Sequence, residues 1–291
     1  VTVRAFGAAL PDGSRRLRPR GLAARLRPIA VVALLVPVMG VPLWLIVATA
    51  GKSQAEALSP NLSPPSRWQL WENLAQVWQQ GEVPAAFLGS VLVVAPSVAL
   101  VLTLGSMASW VLARRGGRFM AVLYALAISG IVLPPAVVTI VLLLRQLGLA
   151  GSPAGMIGVY AGIYMSTVIF FVTGFIRTVP VSLEEAARMD GAGPVRVFVS
   201  IILPLLRPVL ATATILICLY VWNDVFYAFF VIGGRLDTLP LNLFQVANAG
   251  LYLNNWHLIF AYIILMSLPL LVVFAVAQRR IISGITGGAV K

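Results

Sequence analysis

Few side chains in this 291-residue chain could carry chemistry. It holds one histidine, one cysteine and nine carboxylates. Catalysis needs a convergent set of acids, bases or nucleophiles, and metal ligation needs donors at ligand spacing. His257 opens an apolar run and Cys218 lies inside another, so neither forms such a set. Glu184, Glu185 and Asp190 sit with Ala186, Ala187 and Gly191 in one polar stretch between apolar segments. A mixed-charge elbow of this kind suits docking rather than catalysis. Asn223 and Asp224 interrupt an apolar run, where an ionised carboxylate must face protein or water. They could line a path for a polar solute or form a hydrogen-bonded pair between helices. Tyr160, Tyr164 and Tyr220, with Ser166, Thr167 and Trp222, could hydrogen-bond or stack on such a solute. Helix packing competes for Tyr160, Tyr164, Ser166 and Thr167, and anchoring at a membrane interface competes for Tyr220 and Trp222.

The elements that position these groups follow from composition. The chain is 60% hydrophobic and 10% charged, against about 25% charged in an average soluble domain. Its mean hydropathy is +0.96. A soluble fold of this length could not hide that much apolar surface, so the expected class is an all-α integral membrane protein. About six segments are long enough to span, near 29–50, 86–112, 119–144, 156–176, 208–231 and 258–278. Period-two alternation is absent, which argues against a β-barrel. The net charge of +12 comes from basic residues at span ends and in an N-terminal cluster. There is no nucleic-acid motif and no aromatic interleaving. Only Lys52, Arg67, Arg145 and Arg235 fall on the outer side of this topology. The other 17 of 21 basic residues fall inside, which predicts both termini in the cytoplasm.

Residues 1–28 read as a basic cytoplasmic tail attracted to anionic lipid, followed by a signal-anchor span. Residues 29–278 form the transmembrane part, and 279–291 a cytoplasmic C-terminal tail. The external loop, 51–85, begins with a proline-rich SPNLSPPS stretch that cannot be regular helix. Its second part places Trp68, Trp71, Ala75 and Trp78 at helical spacing. This predicts an amphipathic helix at the membrane interface or a contact surface for an external partner.

The elbow lies in the loop 177–207, between the fourth and fifth spans. Ser182 and Glu185 have capping-box spacing, and Gly191 suits a left-handed helix end. Gly193-Pro194 starts a second helix, whose apolar face would be Val195, Phe198, Val199 and Ile202. Pro204 and Pro208 then stop or kink the chain. Pro134-Pro135 breaks the third span, as either a packing kink or a cavity wall.

Glu185-Ala186-Ala187, Gly191, Ile201 and Leu203-Pro204, with Arg188 to Ala192 around them, resemble the EAA loop of ABC-importer permeases. The likeness is closest to the maltose-type, carbohydrate-uptake subgroup, and it extends from the second span onward. VLPPAVVTIVLLLRQLGLAGSPAGMI from Val132, YVWNDVFYAFFVI from Tyr220 and QRRIISGITGGAVK from Gln278 are similar to family segments. Residues 1–27 and the Gly51–Pro84 loop are not covered, apart from Lys52, whose counterpart is a lysine the family often carries after the first span.

The resemblance implies a subunit that pairs with a second permease and two ATP-binding subunits, served by an external solute-binding protein. ATP and Mg would sit on the ATPase subunits. The chain has no GxxxxGK[ST] loop of its own, so no cofactor is expected in it, nor enzymatic activity. The implied coupling residues are Glu184, Glu185, Ala186, Ala187, Asp190 and Gly191, with the tail around Gly284–Lys291 touching the ATPase. The expected cargo is a sugar or oligosaccharide. Rival readings are a glycerol-phosphodiester importer of the same class, an ion-coupled secondary transporter and a membrane-embedded enzyme. The last two are poorly supplied with intramembrane ionisable groups.

Overall fold

A computed structural model describes the backbone of residues 22–248 and 255–289, and everything in it is helix, turn or loop. The chain divides into two units, residues 1–45 and 46–291. The basic tail expected over 1–28 falls mostly outside the described residues, but helix α1, Leu22–Ala50, already begins within it. The elements that follow are α2 (Leu70–Gln80), α3 (Val83–Arg114), α4 (Arg118–Ser129), α5 (Val137–Gln146), α6 (Pro153–Ile176) and α7 (Ser182–Met189). Then come α8 (Pro194–Val197), a π-helical turn (Phe198–Ile202), α9 (Leu203–Leu205), α10 (Arg207–Trp222), α11 (Phe226–Val231), α12 (Leu239–Asn248) and α13 (Trp256–Ala289). The last helix runs through most of the expected C-terminal tail; the side chains beyond residue 275 lie outside the described residues.

Four described helices are long and apolar enough to cross a membrane: α1, α3, α6 and α13. The third expected span is two short helices, α4 and α5, parted at residues 130–136 around Pro134-Pro135. This break does line a cavity of about 430 Å³, walled by Pro135, Gly155, Gly158 and Gly162 among apolar neighbours. The fifth span, expected to run unbroken over 208–231, ends at Trp222 and resumes at Phe226. The 16 residues of α10 reach only about 24 Å, short of the roughly 30 Å hydrocarbon core. Helix α12 has no counterpart among the expected spans; its start, Thr-Leu-Pro, carries proline where a first turn tolerates it.

The centre of the second unit is the pairing of α3 with α6. Small residues bring the two helices together. A Cβ on Gly105 would lie 2.7 Å from Val168 Cγ1, and Ser109 Oγ donates to the Ile169 carbonyl at 3.4 Å. Such close backbone approach is the usual device for helices that cannot rely on a hydrophobic driving force. Trp222 is core rather than interface anchor: it is buried, and its indole N–H reaches the Met266 carbonyl at 3.2 Å, tying α10 to α13. His257 is buried as well.

The loop before α2 is folded rather than slack. Lys52 is 1% exposed, and its ammonium donates to Asn61 O at 3.1 Å, Asn61 Oδ1 at 2.7 Å and Ser63 Oγ at 3.3 Å. Asn73 of α2 donates to the carbonyls of Ala50 and Lys52 at 2.8 and 2.9 Å. A polar loop with buried backbone needs such partners. Helix α2 turns Asn73 and Val77 inward and leaves Trp71 and Trp78 exposed, with Trp68 just ahead of it against Gly51.

Candidate functional site

The elbow is built as two short helices around a glycine. Helix α7 opens one residue earlier than a capping box would allow. Val181 is already helical, and its carbonyl accepts from Glu184 N at 2.9 Å. Ser182 therefore lies inside the helix, and no side chain caps it. At the other end Gly191 takes φ +82°. Its N–H bonds Arg188 O at 3.0 Å, and Ala192 N–H bonds Ala187 O at 2.9 Å. These two bonds form a Schellman closure, which requires a left-handed residue at that point. Pro194 then occupies the first turn of α8.

Two faces of α7 have opposite surroundings. Glu184 and Ala187 are buried, while Glu185, Ala186, Met189 and Asp190 are exposed. Of the expected coupling residues, Glu184 and Ala187, three residues apart, share the inward side of the helix. Glu184 is 1% exposed and ion-paired with Arg114 Nε at 2.6 Å and Arg188 Nη2 at 3.6 Å. Its second oxygen accepts the Trp110 indole N–H at 3.1 Å. Met189, 88% exposed, belongs on the outward face and is not among the residues the sequence singles out. Its position four residues after Glu185 is the signal that could have found it.

The second half of the elbow is also re-registered. Val197, Phe198 and Ile202 are buried, whereas Val195 and Val199 point outward. The π-helical turn at Phe198–Ile202 winds wider than 3.6 residues, so a face read at α-helical spacing is rotated. At Leu206 the chain bends by 75° between Pro194–Leu205 and Arg207–Trp222. Pro204 and Pro208 lack the N–H groups that would carry the helix through.

The polar residues of the spans converge on the break in the fifth. Asp224 Oδ2 accepts from Tyr160 OH at 2.8 Å and Ala228 N–H at 3.0 Å, and Oδ1 accepts from Tyr227 N–H at 3.3 Å. The carboxylate thus starts α11. Asn223 does not pair with it; its amide donates to Leu219 O at 2.8 Å, closing α10. Tyr160 stacks near Tyr164, with ring centroids 6.0 Å apart, and Tyr164 lies nearly parallel to Tyr220 at 5.6 Å and 12°. The ladder runs from a buried Tyr160, 1% exposed, to a half-exposed Tyr220. Ser166 is set apart from it, buried against Gly130.

No group of three or more His, Cys, Asp or Glu among the described residues could hold a metal. Among the described residues the geometry offers an elbow with one open face and a polar, aromatic seam, and no reacting constellation.

Known proteins resemble this chain in sequence and fold. The family of binding-protein-dependent transport system inner membrane components matches residues 102–287. The chain is 31% identical over 280 residues to the melibiose/raffinose/stachyose import permease protein MelC of Bacillus subtilis, covering 92% of this chain and 99% of that one. It is also 31% identical over 259 residues to the diacetylchitobiose uptake system permease protein NgcG of Streptomyces coelicolor, covering 86% and 84%. A bacterial ABC transporter involved in the import of the acidic polysaccharide alginate contains a chain of the same fold. Its TM-score is 0.74 at 20% identity, over 89% of this chain and 97% of that one. With the elbow, the broken spans and these likenesses together, the chain belongs to the family of inner membrane components of binding-protein-dependent transport systems.

Proposed function

We propose that this chain is one transmembrane subunit of an ATP-driven importer for a sugar or oligosaccharide. It pairs with a second permease and two ATP-binding subunits, which hold ATP and Mg, and receives cargo from an external solute-binding protein. The elbow and both termini face the cytoplasm. The observation that carries the reading is the two-sided α7: its inner side is fastened by a buried carboxylate, and its outer side presents Glu185, Ala186, Met189 and Asp190 with no covering element among the described residues. Closure of the ATPase pair moves α7, and the spans follow as rigid bodies.

The aromatic ladder supports a neutral cargo. Tyr220, the half-exposed end of the ladder, offers a ring face, and Asn223 offers an amide edge, beside a carboxylate already bonded to three donors. Its three bonds give that carboxylate a structural role at the break in the fifth span. The test is reconstitution with the partner permease, ATPase and binding protein, screening sugars, amino sugars and glycerol phosphodiesters for stimulated ATP hydrolysis. Stimulation by a sugar is expected. Response only to a non-carbohydrate would overturn the cargo, and failure to co-purify with any ATPase would overturn the class.

A further inference from the structure

The last turn of α3 grips the elbow at three successive points. Arg114 Nη2 donates to the Val179 carbonyl at 2.9 Å, in the link between α6 and α7. Arg114 Nε and Trp110 Nε1 divide the two oxygens of Glu184 on α7, at 2.6 and 3.1 Å. The Trp110 ring also lies 5.5 Å from the Phe198 ring, in the π-helical turn of the elbow's second half. Trp110 and Arg114 are four residues apart, so they stand on one face of α3. The Arg114 side chain is 14% exposed and that of Glu184 1%. Screening that makes surface ion pairs weak is largely absent at such burial.

Resting on the coupling role proposed for α7, we infer that Glu184 is a positioning residue. Through Arg114 and Trp110 it locks both halves of the elbow to α3, so that a displacement of α7 is delivered to the 32-residue α3 without slack. Glu184 touches neither cargo nor nucleotide; it acts by holding Glu185, Met189 and Asp190 in fixed relation to a span. At its far end α3 meets the loop before α12, where Ser90 Oγ accepts Leu239 N–H at 2.8 Å. A Cβ on Gly89 would there lie 2.0 Å from the Asp237 carbonyl. The same helix thus touches both ends of the unit.

The experiment uses the assembled transporter in nanodiscs, in a Cys218→Ala background. Nitroxide labels at Arg115→Cys and Ser182→Cys, both exposed positions, report the distance between α3 and α7. In the otherwise unchanged protein one narrow distance is expected, the same in nucleotide-free and vanadate-trapped states. In Glu184→Gln the distribution broadens by about one helical turn, ~5 Å, and becomes nucleotide-dependent, because α7 follows the ATPase while α3 lags. A residue needed only for folding would lower the yield of complex without making this distance respond to nucleotide. A distance that changes with nucleotide in the unaltered protein, or a Glu184→Gln distribution as narrow as the unaltered one, overturns the inference. The nucleotide-free comparison decides the clamp even if no ATPase assembles, an outcome that would instead sink the importer reading.

Discussion

Tyr160 on α6 donates its hydroxyl hydrogen to Asp224 Oδ2 at 2.8 Å, fastening the fourth span to the break in the fifth. The same carboxylate accepts the N–H groups of Tyr227 and Ala228 and so begins α11. One side chain therefore decides both where the fifth span breaks and where its second piece is held. Tyr160→Phe removes only the link between helices and should cost about 0.6–1.7 kcal/mol, the range for hydrogen bonds between membrane helices. Asp224→Ala also removes the helix start, adding roughly 0.5–2 kcal/mol. Thermal unfolding in nanodiscs checks both. The double variant should be no worse than Asp224→Ala, and full additivity would show that the two residues do not act together.

The outward face of α7 should matter for assembly and not for folding. Glu185→Lys is expected to leave membrane insertion and unfolding temperature unchanged while removing ATPase co-purification and stimulated hydrolysis. Arg114→Ala is the contrasting case. It strands Glu184 as a buried carboxylate facing only Arg188 and Trp110, and loss of one partner from a buried pair costs about 3–5 kcal/mol. Equal coupling in Glu185→Lys and the unaltered protein would remove the outward face from the mechanism.

Gly191 aims the second half of the elbow. At φ +82° nothing lies within 4 Å of where a Cβ would be, so the cost of Gly191→Ala is conformational, about 1–2 kcal/mol. Gly191→Asn should be milder, since asparagine tolerates the left-handed region. Gly191→Pro loses the N–H that bonds Arg188 O and should abolish transport with the protein still inserted. The order Pro, Ala, Asn in residual ATP-driven uptake is the measurement.

Two glycines separate packing from flexibility. Gly105→Ala drives a methyl to within 2.7 Å of Val168 at the α3–α6 contact and should destabilise by about 1–3 kcal/mol, the usual cost of overpacking. Gly158→Ala, also on a spanning helix, has nothing within 4 Å and should cost no stability, since alanine is the better helix former. Unfolding of both variants in one detergent gives the comparison directly.

Helices α3 and α6 and the elbow loop are legible in the sequence because their signals are local: span length, glycine at a helix end, proline at a helix start. Three features are not local. The inward turn of Glu184 depends on Arg114 and Trp110, 70 and 74 residues away, and nothing in the chain's local pattern announces that pairing. The rotated face of the elbow's second half depends on a π-helical turn, which a period of 3.6 misplaces. The break in the fifth span depends on whether Asp224 faces backbone N–H groups or solvent, and hydropathy alone cannot distinguish those. The aromatic residues stand out by type, but their order in the ladder comes only from the crossing of α6 with α10.

The cap before α2 should respond to pH through one carboxylate. The Ser66 hydroxyl and backbone N–H both donate to Glu56 and hold its carboxyl below the usual glutamate range. A carboxyl depressed in the fold contributes stability that is present above its unfolded value, about 4.3, and that is lost as pH falls through the folded value. The cap should therefore tighten at neutral pH and loosen in acid. A nitroxide label at Leu62→Cys, half-exposed between Asn61 and Ser63, would report this as rising mobility below pH ~4. In Glu56→Gln that acid transition should vanish. Lys52→Met tests the other anchor: with the ammonium gone, Asn61 and Ser63 lose their donor, and mobility should be high at every pH. An acid transition that survives in Glu56→Gln would assign the loosening to some other group and remove Glu56 from the anchoring of this loop.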